Sequence, residues 1–150
     1  MWIWDLDSAT LTRATLNAAI DHSPLWTPDG LRLIFSSERH GIRNLFWQAA
    51  NATRAVERLS RSASSQQASG VSPDGRRLIF TERLPASAED IMQLELDGTH
   101  RVTPVLQSAF AERNGVVSPD GRWLAYEAND SGRFEVSVRP FPDVTAGIGR

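Results

Sequence analysis

Apolar residues along this chain fall into short blocks separated by polar stretches rich in Gly, Pro, Asp and Ser. Three of those blocks share one layout. Leu33-Ile34-Phe35, Leu78-Ile79-Phe80 and Leu124-Ala125-Tyr126 are apolar at consecutive positions. A strand with one wet face alternates apolar and polar residues, so an unbroken run predicts a central strand buried on both faces. Each run closely follows a near-identical tetrapeptide: Thr27-Pro28-Asp29-Gly30, Ser72-Pro73-Asp74-Gly75 and Ser118-Pro119-Asp120-Gly121. In such a turn Pro presets φ near −65°, and Ser or Thr bonds the backbone ahead. Asp suits the third position, and Gly takes the left-handed conformation that closes a type I turn with a bulge. Short strands upstream, within 23–26, 68–71 and 115–117, complete three predicted hairpins.

A third strand follows each hairpin after a polar loop, at Asn44–Gln48, Asp90–Leu96 and Phe134–Val138. A fourth, more polar strand closes two of the units, at Ala55–Ser60 and His100–Val105. The turns stand 45 and 46 residues apart, and four antiparallel strands at such a period are the arithmetic of a β-propeller blade. No amphipathic run with good caps supports a helical repeat of similar length. The N-terminal stretch aligns Trp2, Trp4, Leu6 and Asp7 with Met92, Leu94, Leu96 and Asp97, so Trp2–Leu6 and Leu11–Thr15 read as the third and fourth strands of a blade. The chain ends after a third strand with no clear fourth. The expectation is a single all-β propeller domain over 1–150: a half blade at 1–16, blades at 17–60 and 61–106, and an incomplete blade at 107–150. That makes thirteen strands in groups of two, four, four and three, or about three blades.

Composition narrows the function classes. With 150 residues, 41% hydrophobic and 23% charged, the chain is an ordinary globular length and mixture. The net charge of −2 gives no basic surface for nucleic acid, and none is expected as a partner. All 16 basic residues are Arg, which offers forked contacts that Lys cannot. The absence of Cys removes disulfides and thiolate chemistry. No apolar run approaches a membrane span. Acids stand near the N-terminus where a signal peptide carries a basic region. The expected compartment is therefore cytoplasmic as written, or periplasmic for a piece of an exported propeller.

The Pro-Asp-Gly turn followed by a basic or polar residue and an apolar strand resembles the TolB-like propeller repeat, over almost the whole chain. The stretch Phe134–Val144 also resembles, more weakly, a segment of propellers attached to some bacterial Ser/Thr protein kinases. The resemblance implies a propeller used for binding or scaffolding. Complete relatives typically have six or more blades, about twice the number read here.

Several residues invite a sharper reading. Asp29, Asp74 and Asp120 are explained by their turns and need no metal or acid–base role. Ser72 lacks the Gly two residues on that a nucleophile elbow requires. His22, His40 and His100 do not form a metal-ligand set, and no cofactor motif appears. Trp2, Trp4, Trp26, Trp47 and Trp123 fall on predicted strands, where core or interblade packing is expected. Loops before the first strand and between the second and third share one rim of a propeller, and rim loops on a rigid scaffold commonly carry recognition. The candidate binding rim is His22, Arg39, His40, Arg83, Arg113, Asn114 and Asp130, with Gln67, Glu38 and Asn129 beside them.

The function expected is non-enzymatic recognition of a protein or other macromolecular partner. The alternatives are the propeller of a prolyl-oligopeptidase-like peptidase or of a bacterial Ser/Thr kinase, and a gene fragment that retains only folding. Uncovered faces on the incomplete outer blades lead to a further expectation, a homodimer that closes a six-bladed ring with one terminal strand displaced.

Overall fold

The computed structural model describes residues 1–84 and 89–146; the last positions of the expected fourth unit, 147–150, lie outside them. Among the described residues the regular structure is entirely β, in four antiparallel sheets. A hairpin of β1 (Trp2–Asp5) and β2 (Thr10–Arg13) comes first. Next is a four-stranded sheet of β3 (Asp21–Trp26), β4 (Arg32–Ser37), β5 (Asn44–Ala49) and β6 (Glu57–Arg58). The second four-stranded sheet holds β7 (Ser65–Val71), β8 (Arg77–Arg83), β9 (Asp90–Glu95) and β10 (Val102–Leu106). The last has β11 (Glu112–Val117), β12 (Trp123–Ala128) and β13 (Glu135–Pro140). Strands follow one another in space as in sequence, the up-and-down order of propeller blades.

The three turns are superimposable in their chemistry. Gly30, Gly75 and Gly121 have φ of 69°, 71° and 73°, and their amides bond the carbonyls of Thr27, Ser72 and Ser118 at 2.8, 2.8 and 2.9 Å. The first-position hydroxyl donates to the turn Asp at 2.6 Å in every copy. That hydroxyl also accepts an amide from the start of the next strand, Arg32, Arg77 or Trp123, at 2.9–3.0 Å. The Asp carboxylate accepts a further amide two residues on. These bonds hold all three carboxyls below their usual range, Asp120 at about 2 with Ser118 the leading cause. Ser72 is thereby committed to its turn.

The sheets pack face to face with their first strands adjacent, β3 beside β7 and β7 beside β11. Between the first two full sheets lie Ile34, Leu45, Leu59, Ala68, Leu78, Phe80 and Leu94. Ile79, Ile91, Val117, Leu124, Tyr126 and Phe141 fill the next seam. Leu78 and Phe80 thus point one way and Ile79 the other, as the unbroken apolar run requires. Each of these fully buried side chains contributes about 1.5–3 kcal/mol. Small residues bring the first strands close. A Cβ on Gly70 would stand 3.2 Å from the Gly115 carbonyl oxygen, and one on Gly115 would press Ile79 and Ile91 at 3.1–3.2 Å. Ser69 Oγ bonds the Gly115 carbonyl at 2.7 Å across the same seam.

Two expectations are corrected. The run Leu124-Ala125-Tyr126 is not buried on both faces: Leu124 and Tyr126 are covered while Ala125 is half-exposed. Among the described residues only one face of the β11–β13 sheet packs on another sheet. Four of the five tryptophans are not core, Trp2, Trp4, Trp26 and Trp123 being 47–61% exposed, while Trp47 packs against the first seam as expected. Trp2 and Trp4 lie on a hairpin with no sheet over their face, and Trp26 and Trp123 flank the turns. Trp47 is half-buried and carries the Arg32 guanidinium 3.8 Å over its ring.

Candidate binding site on the blade rim

Strand register places equivalent positions of the three units side by side. His22, Gln67 and Arg113 pair with Ser36, Thr81 and Glu127 on the second strands. Just beyond the second strands' inner pairing stand Glu38, Arg83 and Asn129, again equivalent. Arg43, Glu89 and Phe134 each precede the first residue of a third strand. The rim therefore varies between copies, where the turns at the opposite rim are nearly invariant.

Backbone bulges aim this end of the first strands. Register shifts fall between His22 and Leu25, Ala68 and Gly70, and Arg113 and Val116, and bulges commonly re-aim side chains. Asn114 sits in its bulge at φ 58°, a left-handed conformation that Asn tolerates better than most residues. Its amide is held by Thr81 Oγ1 at 3.1 Å. Ser36 Oγ accepts the amide of Ala68 at 2.9 Å in the preceding seam, the same contact one unit earlier.

These residues enclose a polar cavity of about 310 Å³ lined by Arg43, Gln67, Thr81, Arg83, Glu89, Arg113 and Asn114, among others. A second cavity of about 740 Å³ shares Ser65, Arg83, Glu89 and Arg113 with it and adds Leu84, Ala111 and Phe134. Ion pairs alternate along the rim. Arg43 bonds Glu38 at 2.9 Å, Arg83 bonds Glu89 at 2.9 Å, and Arg113 bonds Glu127 at 2.8 Å. The Arg113 bond is the leading cause that holds the Glu127 carboxyl below its usual range. His22 Nε2 lies 3.7 Å from Glu38.

Of the residues read from sequence, Gln67, Arg83, Arg113 and Asn114 meet at the first cavity, and Asn129 borders the second. His22 and Glu38 stand beside them. Arg39 does not join: its buried guanidinium bonds Asp21 at 3.0 Å and covers Phe35 and Phe46. His40 stacks on Phe46 at 5.8 Å, and Asp130 is exposed in the next loop, lining neither cavity. Sequence reading missed Arg43, Ser65, Thr81, Glu89 and Phe134. The signal for Arg43 and Glu89 was the position just before the third strand, while Phe134 was read as the first residue of its strand. Among the described residues no three His, Cys, Asp or Glu side chains group as a metal set. The arrangement offers guanidinium and amide donors, a carboxylate and one aromatic wall, which is equipment for binding.

The TolB beta propeller domain family matches residues 1–139. No curated protein matches the sequence. Among solved structures, TolB from Acinetobacter baumannii superimposes with a TM-score of 0.81 at 24% identity, over 98% of this chain and 36% of that one. A protein assigned as TolB from Agrobacterium tumefaciens gives 0.79 at 17% identity, over 90% of this chain and 48% of that one. A prolyl endopeptidase structure gives 0.70 at 14% identity, over 95% and 23%. The chain spans less than half the length of the TolB structures it resembles.

Proposed function

The chain belongs to the TolB beta propeller domain family, and from that premise we propose that it is a non-enzymatic binding module that recognises a protein or other macromolecular partner through the rim of Gln67, Arg83, Arg113 and Asn114. The observation that supports this is the contrast between rims: one is locked by repeated turns, the other carries donors and charges that differ from unit to unit around two adjoining cavities. A photo-cross-linking residue at Gln67 or Asn129, with Thr99 in the opposite hairpin loop as control, tests it. Adducts of discrete mass are expected from the first two and none from Thr99. The reverse pattern would move the site to the turn rim.

The likeness to a prolyl endopeptidase structure favours a second reading, the propeller of a larger enzyme. An antibody against this chain, used on the organism that encodes it, separates the two. A polypeptide much heavier than 16.6 kDa with peptidase activity would favour the second.

We also propose a homodimer. One face of the last sheet shows Val116, Trp123, Val136 and Val138, and one face of the first hairpin shows Trp2, Trp4 and Leu11, all substantially exposed. Each face suits burial against a sheet of a second copy.

A further inference from the structure

Taking the rim as the recognition surface, we infer that the two adjoining cavities receive a peptide segment that carries a carboxylate side chain beside an apolar one. The first cavity supplies the charge. Arg43, Arg83 and Arg113 line it against a single carboxylate, Glu89, while Glu38 and Glu127 hold Arg43 and Arg113 from outside the lining. Their guanidiniums keep donors to spare. Arg83 is 71% exposed and spends one Nη on Glu89. Arg113 gives Nε to Glu127 at 2.8 Å, which fixes the plane of its fork, and its Nη1 remains 3.9 Å from Glu89. A planar carboxylate accepts from such forks in pairs, with charge-assisted bonds. Gln67 and Asn114 add amide groups at the same level.

The second cavity supplies the apolar contact. Phe134, Leu84 and Ala111 line it, and the Arg113 guanidinium lies 3.7 Å over one face of the Phe134 ring. Arg113 therefore borders both cavities, and a carboxylate held by it lies next to whatever packs on Phe134. A free oxyanion would leave that wall unused. A nucleic-acid backbone carries a charge at every nucleotide and would set successive phosphates against Glu38, Glu89 and Glu127 along the rim, whereas a single carboxylate need meet only the Arg forks. A peptide satisfies both halves at once.

The test is a heteronuclear NMR titration of the full chain with three probes: the peptide amide Gly-Ala-Phe-Glu-Ala-Gly, its counterpart with Gln in place of Glu, and sodium acetate. Shifts at the amides of Thr81, Arg83, Arg113 and Asn114 are expected with the Glu peptide. Its binding should be about five- to tenfold tighter than that of the Gln peptide, the margin of a charged over a neutral hydrogen-bond acceptor. Arg83→Gln, at a side chain that is largely solvent-exposed, should abolish most of that margin. Phe134→Ala should weaken both peptides alike. Equal binding of the Glu and Gln peptides at these amides would overturn the inference and leave the rim as a binding surface. Acetate that binds as well as the Glu peptide would show a simple anion site and overturn it too. No response at the rim to any probe would overturn the inference, while cross-linking from Gln67 would still decide the broader reading.

Discussion

At the scale of single residues, the turns show how little freedom four positions can have. Gly75 sits at φ 71°, and a Cβ there would meet only Pro28 at 3.8 Å, so space is no obstacle. The backbone conformation is. A β-branched residue is strained in the left-handed region, so Gly75→Val should cost roughly 1–3 kcal/mol, read as a lower denaturation midpoint. Glu112 carries the opposite kind of burden. It is buried beside Asp90, and desolvation raises its carboxyl above the ordinary 4.5, with Asp90 adding to the shift and Ser108 and Arg139 opposing it. A carboxyl raised in the folded state costs stability only where it ionises. The cost is absent below about 4.5, where it is protonated folded or unfolded, and is complete once pH exceeds the raised folded value. Glu112→Gln should therefore raise the thermal midpoint at neutral pH, and the gain should vanish as pH falls toward the ordinary value; a constant gain at all pH would refute the assignment. The turn residues were legible in the sequence because their chemistry is local. Arg39 was not, because its partners Asp21, Phe35 and Phe46 reach it only through the folded sheet.

At the scale of elements, hydrophobic pattern and turn spacing located the strands because every pairing is a hairpin between sequence neighbours. The boundaries moved where side chains replace ladder bonds. The fourth strand expected at 55–60 shrinks to Glu57–Arg58, since beyond it Leu45 N–H is taken by Ser60 Oγ at 3.1 Å and Asn44 bonds Arg58 and the Ser62 backbone. Contacts between units were not legible, because one hydroxyl at a strand end has no sequence signature. Ser36 and Thr81 occupy the same place, and each caps an amide on the next unit's first strand. Ser36 and Ala68 are both buried, so Ser36→Ala leaves the Ala68 N–H without its acceptor. The expected cost is about 1–3 kcal/mol, and Ser36→Thr, which restores the oxygen, should recover most of it. Chemical denaturation of the two variants checks this, and equal losses would mean that packing rather than the hydrogen bond holds the seam.

At the scale of the whole molecule, the blade arithmetic was readable but the rim cavity was not: it forms from residues of three units, Arg43, Arg83 and Arg113, that only the register brings together. The same register exposes what the described sheets leave uncovered. On the last sheet Trp123 pairs with Pro140, Ala125 with Val138 and Glu127 with Val136, so Val136 and Val138 share one face with Trp123. They are 75% and 60% exposed. On the first hairpin Trp2 and Trp4 share a face with Leu11 and Arg13, and Arg13 lies 6.0 Å over the Trp2 ring. Contiguous exposed apolar surface of this kind marks an interaction site or an aggregation hazard. Propellers remove such faces by closing into rings. In a twofold dimer the first hairpin of each copy joins the edge of the other's last sheet to complete a blade, with one terminal strand displaced. The open faces then meet the partner's full sheets in a six-bladed ring. Light scattering coupled to gel filtration should then give twice 16.6 kDa at micromolar concentration. Val136→Glu, which sets a second carboxylate opposite Glu127 on the last sheet's open face, should return the chain to a monomer while its circular dichroism stays β-rich. A folded monomer before any substitution, or a dimer that survives Val136→Glu, would rule out this ring.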